Sequence, residues 1–188
     1  MERQELRVEF EASARRAGMR VIAVSRATLT SASKQLFEQR ILGFEESPAR
    51  YLATPTVREQ YPGLFSCLDA RIVETPSEEV TTQAVGLCVA MLGIAETGSV
   101  LLAGEQVQER FVWLGPRHVI VLLPETAIVA TLEDGLYWFT QHRETGAVTL
   151  LTGPSRTSDV ERILTVGVQG AEEVDVVLLT SEEEGEVG

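Results

Sequence analysis

The chain has 188 residues and a formal net charge of −12, from 16 Lys and Arg against 28 Asp and Glu. This is enough chain for one domain that buries a substantial core without a metal or disulfide, and the acidic excess, with no basic stripe to offset it, argues against nucleic acid as a partner. No stretch approaches the roughly 20 apolar residues of a membrane span, and the opening MERQELRVEFEASARR is too densely charged for a secretory signal, so the cytoplasm is the expected compartment.

In chain order, Leu6, Phe10, Ala14 and Ala17 recur at helical spacing. Leu6, Val8 and Phe10 also alternate as a strand would, but the longer period favours a helix. Val21 to Val24 follow as a short apolar strand, and Leu29 to Gln39 reads as a second helix with Leu36 and Phe37 inward. From Phe44 to Pro76 the prolines at 48, 55, 62 and 76 break the pattern, which predicts irregular connections. Beyond them come seven short apolar runs: Val85–Val89, Gly93–Ala95, Val100–Ala103, Val119–Leu123, Ile128–Ala130, Val148–Thr152 and Val174–Leu179. Two helices are expected between these strands. Thr131 with Asp134 has the form of a capping box before Leu132, Leu136 and Phe139, and Ser158 with Glu161 has the same form before Ile163 and Leu164. The end, from Glu182 to Gly188, reads as a solvated, frayed acidic tail.

Strands that are apolar throughout point to an α/β sheet covered on both faces. Residues 1–188 thus read as a single α/β domain. Positions 1–45 supply the N-terminal helices and first strand, 77–180 a motif-bearing core, and 181–188 the tail.

Cys67 and Cys88 form neither a disulfide framework nor a paired metal spacing, and His118 and His142 have no second ligand at helical spacing. Neither a metal nor a cofactor is therefore expected. The chemistry concentrates in two connections. Gly153-Pro154-Ser155-Arg156-Thr157 follows a strand and precedes the expected helix, so its donors, the helix dipole and the Arg156 fork would favour a small carboxylate or phosphate. The plainer alternative pairs Arg156 with Asp159 or Glu161 and leaves Ser155 as a cap. Ala95-Glu96-Thr97-Gly98-Ser99 is either a hairpin turn or a strand end feeding a site, with Glu96 as base, nucleophile or solvated turn residue. His118, after Gly115-Pro116-Arg117, is either a strand-edge residue or a ligand contact.

Gly93-Ile94-Ala95-Glu96-Thr97-Gly98-Ser99, then Arg110, Pro116 and His118, then Thr152 to Glu161, in this order and spacing, resemble the LUD domain of the lactate-utilisation proteins, the LutC and YkgG family. The resemblance runs from about Thr82 to Leu179. It implies a three-layer α/β sandwich similar to the NagB/RpiA/CoA-transferase group and a part in oxidising L-lactate to pyruvate beside iron–sulfur partner proteins. It also implies site roles for Glu96, Thr97 and Gly98 and for Gly153, Pro154, Ser155, Arg156, Thr157 and Asp159, with Ser99 and His118 beside them as candidate ligand contacts. Two departures stand out: Met91 ends a segment where relatives have Gly-Ala-Asp, and Gln169 replaces a histidine.

Three functional expectations follow, the last a structural or regulatory module whose motifs only stabilise the turns. The first is a non-redox accessory protein that binds a small anion or a partner. The second is an enzyme in its own right, of the acyl-transfer, sugar-phosphate-isomerase or folate-cyclising type, with Glu96 as base or nucleophile. A homodimer is compatible with a fold of this kind.

Overall fold

The computed structural model describes residues 2–45, 50–72, 84–142, 146–158, 164–166 and 170–181, with backbone alone at 156–158 and 164–166. Helix α1 (Arg3–Arg16) opens the chain on a reciprocal Glu2 and Glu5 capping box and buries Phe10 and Ala14. Strand β1 (Arg20–Ser25) follows, then α2 (Arg26–Ser31) and a π-helical turn at Leu36–Ile41.

The single helix expected over Leu29–Gln39 is thus two pieces, and the hydroxyl side chains explain the break. Ser25 caps the amide of Thr28 at 3.1 Å and starts α2 early. Thr30 and Ser31 bond back to the carbonyls of Arg26 and Ala27, which weakens a helix at its end. Ser33 then accepts from the amide of Leu36 and restarts the coil.

Strand β2 (Tyr51–Ala53), helices α3 (Pro55–Gln60) and α4 (Pro62–Cys67) and strand β3 (Arg71–Ile72) occupy much of the region expected to be irregular. Pro55 and Pro62 sit in the first turns of their helices, where the missing amide hydrogen costs nothing. They begin order here and do not break it.

Next come β4 (Val85–Val89), β5 (Leu92–Ile94), β6 (Ser99–Gly104), α5 (Val107–Leu114) and β7 (His118–Pro124). The remaining elements are β8 (Ile128–Val129), α6 (Leu132–Gln141), β9 (Ala147–Leu151), β10 (Arg156–Ser158), β11 (Leu164–Val166) and β12 (Glu173–Thr180). The Thr131 and Asp134 capping box is present at the start of α6. The helix expected after Ser158 is replaced: β10 pairs antiparallel with β11, Arg156 against Val166 and Ser158 against Leu164. Its proposed Glu161 cap, Asp159, Gln169 and the 182–188 tail lie outside the described residues.

Among the described residues, six strands form one parallel sheet in the order β1-β12-β7-β4-β2-β3. Successive side chains divide between two cores. Val119, Val121, Leu123, Val174, Val176 and Leu178 face α1, α5 and the second sheet, where Phe10 and Trp113 are buried. Ile120, Leu122, Val177, Leu179 and Leu87 face the other way, against Leu29, Phe37, Val57 and Leu64. Both faces being covered, the strands read as unbroken apolar runs, and the three-layer α/β expectation holds. The second sheet has the order β8-β5-β6-β9, with β5 and β6 forming a hairpin. No helix among the described residues is long and apolar enough to cross a membrane.

Candidate functional site

The two sequence motifs meet, but on a helix backbone and not around a cavity. Gly98 closes the β5–β6 hairpin at φ +69°, and a Cβ there would stand 2.2 Å from the amide nitrogen of Ala14. Gly153 has φ +86°, and its Cβ would lie 2.1 Å from the carbonyl oxygen of Ala17. Both glycines therefore let the second sheet press directly on the C-terminal turns of α1. Hydroxyls tie the motifs together. Thr97 Oγ1 and Ser99 Oγ are 2.7 Å apart, and Ser99 Oγ is 2.7 Å from Thr152 Oγ1. Ser99 is buried, Thr97 half-buried and Thr152 exposed, so this chain of hydroxyls satisfies the buried Ser99 and runs out to the surface.

Glu96 points away from that contact. It is exposed, and its Oε2 accepts from the amide of Leu132 at 2.9 Å, at the N-terminus of α6. A carboxylate at this position complements the helix dipole and satisfies one of its free amides. Glu96→Ala is accordingly expected to lower stability by about 0.5–1 kcal/mol. Urea denaturation checks this, and an unchanged midpoint would remove the capping role.

The second motif was expected to form an anion cradle at the carboxyl edge of a sheet before a helix start. The structure corrects both points. Strand β9, which precedes Gly153, belongs to the second sheet, and the segment that follows is the β10 strand. Among the described residues no helix starts at Arg156 and Thr157, which lie in a strand. Ser155 donates its amide to the carbonyl of Ala171 at 2.8 Å, and Pro154 lines a cleft.

That cleft, of about 370 Å³, lies at the amino ends of β1 and β12. Gly18 and Arg20, Leu42 to Phe44, Pro154, and Glu172 to Asp175 wall it. At its polar side Arg20 grips Asp175 with both arms of its fork, Nε to Oδ1 at 2.9 Å and Nη2 to Oδ2 at 2.5 Å. His118 Nε2 contacts the same Oδ2 at 2.8 Å, and its ring meets Phe44 edge-on at 5.2 Å between centroids. His118 Nδ1 faces Glu173 Oε2 at 3.8 Å, and Glu172 pairs with Arg117 at 3.4 Å.

The Asp175 side chain is 4% exposed, and the Arg20 side chain 49%. Burial pushes the Asp175 carboxyl up, but hydrogen bonds from Arg20 and His118 outweigh it and hold the group below the usual carboxylate range. The same bond to Asp175 holds the Arg20 guanidinium above its ordinary value, against burial. His118 Nε2 faces that carboxylate, so it is the ring nitrogen that donates there.

Of the expected site residues, the cleft gathers Pro154 directly and His118 through Asp175 and Phe44. Glu96, Thr97, Gly98, Ser99 and Gly153 do not line the cleft. Arg20 and Asp175 are additions. A signal for Asp175 was present: a carboxylate between Val174 and Val176 in an apolar strand has to be paired when buried.

The LUD domain model matches residues 8–179. A protein from Geobacillus thermodenitrificans named "Lactate utilization protein C" is 29% identical over 101 residues, covering 51% of this chain and 42% of that protein. Another of that name, from Halalkalibacterium halodurans, is 31% identical over 121 residues, covering 57% of this chain and 53% of the relative. The chain spans about half the length of the curated relatives it matches. Among solved structures, a DUF162 family protein from Deinococcus radiodurans superposes with a TM-score of 0.71 over 95% of this chain and 99% of that one, at 22% identity. That likeness bears on the fold, and the model match over nearly all of the sequence bears on descent: the chain belongs to the LUD domain family.

Proposed function

We propose that this chain serves L-lactate utilisation as a non-redox component, holding a small ligand in the cleft walled by Arg20 and Asp175 while iron–sulfur partner proteins carry electrons. One observation carries the reading: LUD-domain relatives that align with half of this chain bear the name "Lactate utilization protein C". The donor set of the chain agrees with a non-redox part. An iron–sulfur cluster held by cysteine takes four thiolates, whereas this sequence has Cys67 and Cys88. Burial pushes both thiols up, Cys88 most strongly, so neither is poised as a thiolate ligand.

Capping of α6 by Glu96 speaks against Glu96 as a catalytic base, because its carboxylate is already engaged in the scaffold. The cleft, by contrast, is walled by a guanidinium, with the His118 imidazole behind it against Asp175. Deleting the gene in the native host tests the proposal. Growth on L-lactate as sole carbon source is expected to fail while growth on pyruvate continues. Unimpaired growth on L-lactate would overturn it.

A further inference from the structure

We propose that two copies of this chain join through β9, edge to edge and antiparallel about a two-fold axis at Thr149, so that their second sheets continue into one another. The inference is independent of the ligand reading above.

Strand β9 is the outer strand of the second sheet, next to β6, and among the described residues its outward amides and carbonyls pair with no further strand. None of its five residues is buried, whereas β6 buries all but Ala103. An open edge invites another strand, and proteins that stay apart blunt it by shortness, charge or proline. The other outer strands of the two larger sheets follow that rule: β3 and β8 are two residues long, and β1 opens on Arg20. The β9 sequence Ala-Val-Thr-Leu-Leu has none of these devices.

The strand also fits itself, as a two-fold interface demands. In an antiparallel pair centred on Thr149, Val148 of each copy faces Leu150 of the other and Ala147 faces Leu151. Apolar side chains thus oppose apolar ones, and the two threonines meet on the axis, pairings that stabilise a sheet. Left-handed glycines, Gly146 at φ +76° and Gly153 at φ +86°, bound the strand at its two ends.

Apolar surface for a second copy to cover is present on both faces of the strand. Thr149 Oγ1 accepts from Trp113 Nε1 of α5 at 3.2 Å, so Thr149 faces α5 and Leu150 the opposite side. Leu150 stands across from Leu101, and Leu101 from Leu92; Ile94, on that same face, lies against Gly135 of α6. Helix α5 leaves Phe111 and Leu114 exposed, and α6 leaves Leu136 and Tyr137 exposed. With Leu150 these side chains offer several hundred Å² per copy, on the scale of the roughly 800 Å² that each partner gives to a specific interface.

Charge sets the conditions. With −12 on each chain, two copies repel at long range, and they can meet where charge is absent, as along β9. Salt screens the repulsion and leaves strand pairing intact, so this dimer should tighten as salt rises, the reverse of an interface held by ion pairs.

Sedimentation equilibrium of the full chain is the test. A dimer is expected at micromolar concentration, tighter in high salt than in low. Leu150→Glu, at an exposed position, should weaken it by roughly tenfold or more without moving the urea midpoint. Val8→Glu, equally exposed but on α1, adds the same charge and should leave the dimer as it is. Thr149→Cys, in a chain carrying Cys67→Ser, should be joined to its own copy by a short bis-maleimide. A monomer under these conditions, a dimer that Leu150→Glu leaves intact, or one that loosens with salt would each overturn the inference. If Leu150→Glu does not fold, the Thr149→Cys crosslink decides alone, and its failure to form rules the β9 edge out.

Discussion

Gly153→Ala is expected to destabilise the protein by roughly 3–5 kcal/mol, and Gly98→Ala by a similar amount. Two costs add at each position. A non-glycine residue at φ +86° or +69° pays about 1–2 kcal/mol for the left-handed backbone. The new methyl then falls 2.1 Å from the Ala17 carbonyl oxygen or 2.2 Å from the Ala14 amide nitrogen. Backbone cannot swing aside as a side chain can, so α1 and the second sheet must part, with an overpacking cost of about 1–3 kcal/mol and exposure of the core around Phe10. For a chain of this size that is a fall in Tm of roughly 6–20 °C, read by circular dichroism. Gly43→Ala is the control. It has the same left-handed strain at φ +70° but an open neighbourhood, with Arg20 Nη1 at 3.6 Å, so its cost should stay near 1–2 kcal/mol. If Gly153→Ala melted like Gly43→Ala, the close approach to α1 would not be limiting.

This prediction also separates two meanings of a motif. If the glycines of the LUD signature served to admit a ligand to the backbone, alanine would reduce binding and leave stability alone. The contacts of Gly98 with Ser13 and Ala14, and of Gly153 with Ala17, assign them to the junction between α1 and the second sheet. The motifs bring that junction together, and it holds α1 next to the cleft, which begins at Gly18, two residues beyond its end.

What could be read from the sequence follows how locally each feature is determined. The core strands were legible because burial on two faces leaves every position apolar, as in Val119 to Leu123. The start of α6 was legible because Thr131 and Asp134 settle it between themselves. Ser158 and Glu161 have the same local form, yet the chain at Ser158 is a strand, because pairing with Leu164 to Val166 decides the backbone there. Strand preference of this kind is set by partners, which a local window does not contain. The candidate site divides in the same way. His118 and Pro154 stood out by composition, whereas Arg20 and Asp175 meet across 155 positions of sequence, and it is the parallel pairing of β1 with β12 that places Arg20 opposite Asp175.

That pairing carries the second large effect. Arg20→Met is expected to cost about 2–3 kcal/mol at neutral pH, because it strands a buried carboxylate with His118 as its remaining partner. The figure lies below that for a wholly buried pair because Arg20 is half solvated and part of its attraction is screened. The pH dependence gives the sharper signature. In the wild type the Asp175 carboxyl titrates below its unfolded value, so its stabilisation is complete above about pH 4 and is lost as pH falls through the depressed folded value. Without Arg20, burial is opposed by His118 alone, and the carboxyl should titrate higher than in the wild type. The variant should therefore lose less stability than the wild type as pH falls, or gain some if its carboxyl titrates above the unfolded value. The gap between the two proteins should be widest near neutrality and narrow in acid, once Asp175 is protonated in both. Urea midpoints from about pH 3 to 8 measure this directly. A gap of constant size across that range would mean that Arg20 contributes packing along β1 and not charge at Asp175, and the electrostatic account of the cleft would have to be withdrawn with it.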